Sequence, residues 1–232
     1  MLKQERQNSI LEIVKERKYC TVNYLAKALF VAPITVRRDL KEMEDLGLIA
    51  RCFGGATVPQ YENREVPFEI RNKSNFLIKD RLAQRASQLI SQGDVIFLDA
   101  SSTVSHIADY IFEEMNLTVI TNSTFILEKL KEKHIRCYLT GGFTVENSHA
   151  LVGSIAENTV EGIFANICFF SAQGIDGEGI ISDQSEAESS LRRLMIKNSE
   201  KKYFLFDKSK RGKRFAFKIA QDSDLTGMIS DE

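Results

Sequence analysis

Arg37, Arg38 and Lys41 stand around Asp39 in the stretch "VAPITVRRDLKEMEDLGLIARCFGGATV", which begins at Val31. Cations so spaced on a helix can grip phosphate oxygens or the edges of guanine bases, which is the chemistry of double-stranded DNA recognition. A second group of polar residues follows directly on apolar runs: Asp99, Ser101, Ser102 and Thr103; Thr121 and Asn122; Gly141 and Gly142; Gly174 and Asp176; and Asp207 with Lys210. Hydroxyls and glycine amides ahead of a helix bind phosphate oxygens through backbone N–H groups and the helix dipole, and a lysine adds positive charge. That group suggests a phosphorylated small molecule. Taken one at a time, the same segments also read as ordinary turns and caps.

These residues belong to a chain of 232, longer than the usual single domain of about 100 to 200 residues, so one small and one medium domain are expected. Hydrophobic residues make up 43% of it, enough for a substantial core. No apolar run approaches the roughly 18 residues that suggest a membrane span, which predicts a soluble protein with no membrane partner. The opening "MLKQERQNSILEIVKERKY" is charged throughout and lacks the apolar centre of a signal peptide, which predicts a cytoplasmic location. Cys20, Cys52, Cys137 and Cys168 are far apart, as are His106, His134 and His149, so the expectation is free thiols and no metal or cofactor. Net charge is −1, but the residues up to Val58 carry ten Lys/Arg against seven Asp/Glu, and the remainder 21 against 25. The front end is mildly basic, which alone is weak evidence for a nucleic-acid partner.

Periodicity places the cations. From Lys3 to Arg17 the residues Ile10, Leu11 and Val14 share a helical face, and from Thr21, a plausible N-cap, Val22, Leu25, Ala26 and Leu29 repeat the pattern. A third helix opens near Pro33, buries Val36, Leu40 and Met43, and meets a stop at Gly47. Arg37, Arg38 and Lys41 then point away from the core. "LIARCFGGATV" reads as a hairpin around Gly54 and Gly55. Three helices and a hairpin make a winged helix-turn-helix over residues 1–58, with Thr35, Arg37 and Arg38 as contact candidates for a major groove. The alternative is a solvated helix face on which Asp39 pairs with a neighbouring arginine. Residues 59–75, polar and twice interrupted by proline, read as a linker. Over 76–232 a helix at "IKDRLAQRASQLI" precedes the buried runs "VIFLD", "LTVIT", "IRCYLT", "ANICFFSA", "GIDGEGIIS" and "YFLF", with helices from Thr103, Ser123 and Ser185. This is an α/β pattern with a mostly parallel sheet, whose ligands sit at the carboxyl ends of strands.

"TVRRDLKEMEDLGLIARCFGGA" resembles the DNA-binding signature of the DeoR family of transcription regulators, a T-[IV]-R-R-D-L helix, a leucine-glycine stop and an R-x-H-G-G-A wing. Ala32 stands where the family usually has a serine cap, and Phe53 where it has histidine. The resemblance implies a DNA-facing set of Thr21, Thr35, Arg37, Arg38, Lys41, Arg51, Gly54 and Gly55. Further on, Asp99, Ser102 and Thr103 are similar to the family's D-x-G-T-T loop, with Ser101 at the glycine; Thr121 and Asn122 match its T-N turn, Gly141 and Gly142 its G-G turn, and Lys210 its S-K motif. The second domain thereby resembles a sensor related in fold to ribose-5-phosphate isomerase, glucosamine-6-phosphate isomerase and coenzyme A transferases. Members of the family generally continue past the final "MISDE". What the resemblance implies is a repressor of sugar or carbohydrate metabolism genes, bound to operator DNA as a homo-oligomer, dimer or tetramer, and controlled by a phosphorylated sugar. Two other readings stand beside it. The second domain only oligomerises, or Asp99, Asp176, Glu178 and Glu186 serve as acid and base of an isomerase; no nucleophile or histidine relay accompanies them, so no enzyme is expected.

Overall fold

The computed structural model describes residues 3–45, 48–57 and 66–231. They form two compact units that divide between Ile70 and Arg71.

In the first unit α1 (Lys3–Arg17), α2 (Val22–Ala28) and α3 (Pro33–Asp45) pack around Ile10, Val14, Leu25, Val36, Leu40 and Met43. The Thr21 hydroxyl accepts the Tyr24 N–H at 3.1 Å and so caps α2, as its position before an apolar-periodic run predicts. Pro33 opens α3, where a missing N–H costs nothing. The wing is built from β2 (Ala50–Cys52) and β3 (Gly55–Thr57), and a strand not expected from the sequence, β1 (Tyr19–Thr21), pairs with β3 to give an antiparallel order β1-β3-β2. Three residues are too few to register as a period. A Cβ at Gly55 would overlap the Cys20 carbonyl, so glycine is what lets these strands close up, and Gly54 turns the wing at φ +75°. The stop expected at Gly47 lies outside the described residues.

The segment expected as linker differs where it is described, because α4 (Phe68–Lys73) occupies part of it. Phe68 and Ile70 are buried, an apolar pair within a single turn that leaves no periodic trace in the sequence. Past it, α5 (Phe76–Ser87) starts two residues ahead of the expected helix.

The second unit is organised by β4 (Val95–Leu98), β5 (Thr118–Thr121), β6 (Arg136–Leu139), β9 (Ala165–Phe170), β12 (Ser199–Phe206) and β14 (Gly227–Ser230). Their order is β14-β12-β9-β4-β5-β6, and every pairing is parallel. Alternate residues feed opposite layers: Ile96, Leu98, Ile167 and Phe169 on one face, Phe97, Cys168 and Phe170 on the other. The helices α6 (Thr124–Glu132), α7 (Ser154–Glu161) and α8 (Glu186–Lys197) complete the layers, with Ser123 and Ser185 capping α6 and α8 through the N–H groups of Ile126 and Glu188. A short β7 (Phe143–Thr144) and β8 (Leu151–Val152) hairpin stands apart from the large sheet.

Two expectations need correction. The helix from Thr103 is a 3-10 helix, Val104–Tyr110, in which Ser105 turns its hydroxyl back to the Ser102 carbonyl at 3.0 Å and competes with regular helical bonding. "GIDGEGIIS" is not a strand of the parallel sheet. It folds as a hairpin of β10 (Gly174–Ile175) and β11 (Ile180–Asp183), which β13 (Phe217–Gln221) extends into a small antiparallel sheet. No described helix is long and apolar enough to cross a membrane.

Candidate functional site

Each unit carries its own set of polar groups. On α3, Asp39 is fully buried and receives a two-point grip from Arg6 of α1, Nε to Oδ2 at 2.5 Å and Nη2 to Oδ1 at 3.1 Å. The aspartate therefore does not pair with its neighbours in sequence. Arg37, Arg38 and Lys41 are exposed, and among the described residues none of them enters an ion pair. Thr35 is half-buried at the start of the same helix, where its N–H bonds the Ala32 carbonyl without a side-chain cap. Arg37 lines a shallow groove with Val22, Leu40, Arg51, Gly54 and Gly55, between α3 and the wing. Arg51 is tied down: Glu44 takes its Nε at 2.6 Å and its backbone N–H at 3.0 Å, and that contact holds the Glu44 carboxyl below its usual range. Phe53, at the wing tip, is wholly exposed. Thr21 is exposed, with its hydroxyl engaged as the cap of α2.

At the carboxyl edge of the parallel sheet the sequence-designated residues are mostly buried and mostly engaged with one another. Asp99 accepts the Ser101 hydroxyl at 2.6 Å, and its other oxygen takes Arg192 Nε at 2.7 Å. Arg192 also reaches Asp183 at 2.9 Å and Glu188 at 2.7 Å, so one guanidinium meets three buried carboxylates. Burial pushes the Glu188 carboxyl up against the pull of Arg192. Ser101 caps the 3-10 helix through the Val104 N–H at 3.2 Å and needs no positive φ, so serine fits where a glycine is usual. Thr121 donates to the Leu98 carbonyl at 2.7 Å, and Asn122 to the Leu151 carbonyl at 3.1 Å. Gly141 and Gly142 adopt positive φ, and a Cβ at Gly142 would strike the Val152 carbonyl. Gly174 and Asp176 lie on the separate hairpin, where Asp176 orders the turn through the N–H groups of Glu178 and Ile180 and pairs with Arg214. Thr103 is buried beside Ser102.

The phosphate chemistry suggested for this edge concentrates at Ser102. Its hydroxyl meets Lys79 Nζ at 3.0 Å, and Lys79 also donates to the Arg71 carbonyl. Burial first, then the nearby charges of Lys210 and Arg71, lower the Lys79 ammonium to about 7 against the opposing pull of Asp207. Lys210 is half-buried and lowered by the same burial, with Asp207 and Asp183 opposing. Sequence reasoning missed Lys79, Arg192 and Glu188. The signal for Lys79 was its place on the apolar stripe of Leu82, Ala83 and Ala86, where a charge needs a reason. Among the described residues no cluster of His, Cys, Asp or Glu is arranged to hold a metal.

Two family models match the chain, "DeoR-like helix-turn-helix domain" over residues 6–62 and "DeoR C terminal sensor domain" over residues 74–232. An HTH-type transcriptional regulator of Bacillus subtilis, YulB, described as uncharacterized, is 35% identical over 232 residues, covering 100% of this chain and 90% of that protein. The L-fucose operon activator of Haemophilus influenzae is 33% identical, covering 97% and 91%. The lactose phosphotransferase system repressor of Streptococcus mutans is 31% identical, covering 100% and 93%. Among solved structures, the tetrameric eIF2B-beta2-delta2 complex from C. thermophilum is similar at TM-score 0.52 and 12% identity, covering 86% of this chain and 62% of that one. Ribose 5-phosphate isomerase from Methanocaldococcus jannaschii follows at 0.45 and 17%, covering 60% and 55%. Such structural likeness concerns the fold alone.

Proposed function

The chain belongs to the DeoR family of helix-turn-helix transcriptional regulators, and from that premise we propose that it represses genes of sugar metabolism and is controlled by a phosphorylated sugar. The observation that carries the DNA half is the diversion of Asp39 to Arg6, which leaves Arg37, Arg38 and Lys41 exposed and outside any ion pair among the described residues. α3 enters the major groove with Thr35, Arg37, Arg38 and Lys41 toward bases and phosphates, while Arg51 and the Gly54–Gly55 turn meet the neighbouring backbone. Operator-level affinity requires more than one copy, so the protein acts as a homo-oligomer in the cytoplasm. Exposed Tyr138 on edge strand β6, with exposed Phe143 and Ile155 nearby in sequence, supports self-association of the second unit.

The effector half rests on the concentration of lysines and hydroxyls at the sheet edge. An isomerase reading has less support, because Asp99 is committed to Arg192 and Asp176 to a hairpin turn. The test is a gel-shift titration of the full chain against DNA from upstream of its own gene, repeated with a panel of sugar phosphates and their unphosphorylated sugars. Release by a phosphorylated member alone is expected. Indifference to the whole panel would leave a DNA-binding protein whose second unit only oligomerises, and turnover of a sugar phosphate would revive the enzyme reading.

A further inference from the structure

Lys79 occupies a position on α5 that packing would give to an apolar side chain. It shares a face with Leu82, Ala83 and Ala86 and is 5% exposed. An ammonium has three donors, and two are used here, on the Ser102 hydroxyl and the Arg71 carbonyl. Among the described residues no carboxylate comes within ion-pair distance of it. The groups that face it are Arg71 from α4, Ser102 and His106 from the segment after β4, and Asp207 and Lys210 from the segment after β12. Asp207 is the single acid of that set, and it also accepts the Ser209 N–H at 2.9 Å. A buried cation beside two others, with a donor to spare, lacks its counter-anion, and burying such a charge unpaired is costly.

We propose that Lys79, with the Ser102 hydroxyl and Lys210, holds a phosphate dianion, and that Lys79 is the residue that anchors the phosphoryl end of the effector. This rests on the sugar-phosphate reading above and adds to it a residue and a ligand charge. Tetrahedral oxygens accept from the third N–H of Lys79 and from the Lys210 ammonium, in the charge-assisted geometry that phosphates favour. Lys79 is near half-protonation at neutral pH, so the dianion draws a proton onto it. Binding then consumes up to one proton, and affinity falls about tenfold per pH unit above about pH 7.

The test uses the full chain with inorganic sulfate as probe, whose charge is constant from about pH 6 to about pH 9, and then with inorganic phosphate and the sugar-phosphate panel. Titration calorimetry in buffers of different ionisation enthalpy counts the protons. Wild type is expected to take up a proton at about pH 8, and Lys79→Met to lose at least tenfold in affinity together with the proton. Lys79→Arg, which keeps a cation that does not titrate in this range, is expected to retain binding and lose the pH slope. Equal affinity in wild type and Lys79→Met, or binding without proton uptake, overturns the anchor. If sugar phosphates bind and Lys79→Met binds them equally, the anchor fails and the effector reading stands. If sulfate and phosphate bind through Lys79 but no sugar phosphate binds more tightly than inorganic phosphate, the effector reading fails and the anchor stands. Binding of none of the three overturns both.

Discussion

Arg6 and Asp39, separated by 33 positions, join α1 to the centre of α3 through two hydrogen bonds at 2.5 and 3.1 Å. Asp39 is buried directly after the exposed Arg37 and Arg38, so the contact helps fix the rotation of α3 and with it which side chains face outward. Asp39→Ala takes from the buried Arg6 guanidinium its two-point partner, which is destabilising. The expected outcome is a first unit that melts several degrees earlier and loses DNA affinity, while the second unit keeps its transition and its ligand. Differential scanning calorimetry of the full chain with and without phosphate resolves the two. An unchanged first transition would mean that the apolar core alone orients α3.

Arg37 and Arg38 lie off the apolar stripe, so their joint replacement by alanine is expected to leave the melting profile intact. Each removed phosphate contact lowers the slope of log affinity against log salt by about 0.9, so the double variant should bind operator weakly with a slope shallower by about 1.8. A filter-binding series over salt concentration measures both. Full affinity at physiological salt would place α3 outside the groove.

Much of this surface was legible in the sequence. Ile10, Val14, Leu25, Val36, Leu40 and Met43 were all assignable from helical spacing, and their burial leaves Arg37 and Arg38 outside. Continuous apolar runs likewise gave the parallel strands at "VIFLD", "LTVIT", "IRCYLT", "ANICFFSA" and "YFLF". What spacing did not reveal was the use of charge inside. Glu188 and Arg192 stand one helical turn apart, a common arrangement on a solvated face, and only the fold brings Asp99 to them from 93 positions away. Asp99 therefore looked like a ligand group and is a counter-ion. Asp176 was grouped with the strand ends because it follows an apolar run, but a hairpin ends in the same kind of residue as a parallel strand does.

Arg192 neutralises Asp99, Asp183 and Glu188 in a buried cluster. Arg192→Met removes the shared cation and is expected to cost about 3–5 kcal/mol of second-unit stability. With the arginine gone, the Glu188 carboxyl, already raised by burial, loses the opposing pull of Arg192 and holds its proton more tightly in the folded than in the unfolded state. The folded form then binds more protons, and the stability of the variant falls as pH rises through the carboxylate range. Urea unfolding of variant and wild type at about pH 5 and about pH 8 should show the smaller deficit at the lower pH. A deficit that does not change with pH would mean that the loss is one of packing.

Lys210 is half-buried and within the field of Lys79, although neighbouring Lys208, Arg211 and Lys213 supply charge of their own. If it grips the phosphate, Lys210→Ala loses one charge-assisted hydrogen bond worth ~1.5–3 kcal/mol, a roughly 10- to 150-fold loss of effector affinity. DNA affinity without effector should be unchanged. A loss below about threefold would assign the phosphate to the whole basic cluster instead.

Lys79 makes a prediction about stability that is separate from ligand binding. Its ammonium falls from 10.5 to about 7 in the folded protein, chiefly through burial. Between those values the unfolded chain holds a proton that the folded chain has released, so stability rises with pH across the window, by at most roughly 1.4 kcal/mol per unit. Below about pH 7 both states are protonated and the cost of burying the charge is present in full. Lys79→Met removes the titrating group and gives up the hydrogen bonds to Ser102 and the Arg71 carbonyl, a loss that does not depend on pH. The melting temperature of the variant relative to wild type should therefore be highest at about pH 6 and decline steadily toward about pH 10, measured in buffer free of phosphate and sulfate. Parallel curves would show an ammonium with an ordinary proton affinity, and a difference that grew with pH would reverse the sign of the linkage and require a carboxylate partner for Lys79.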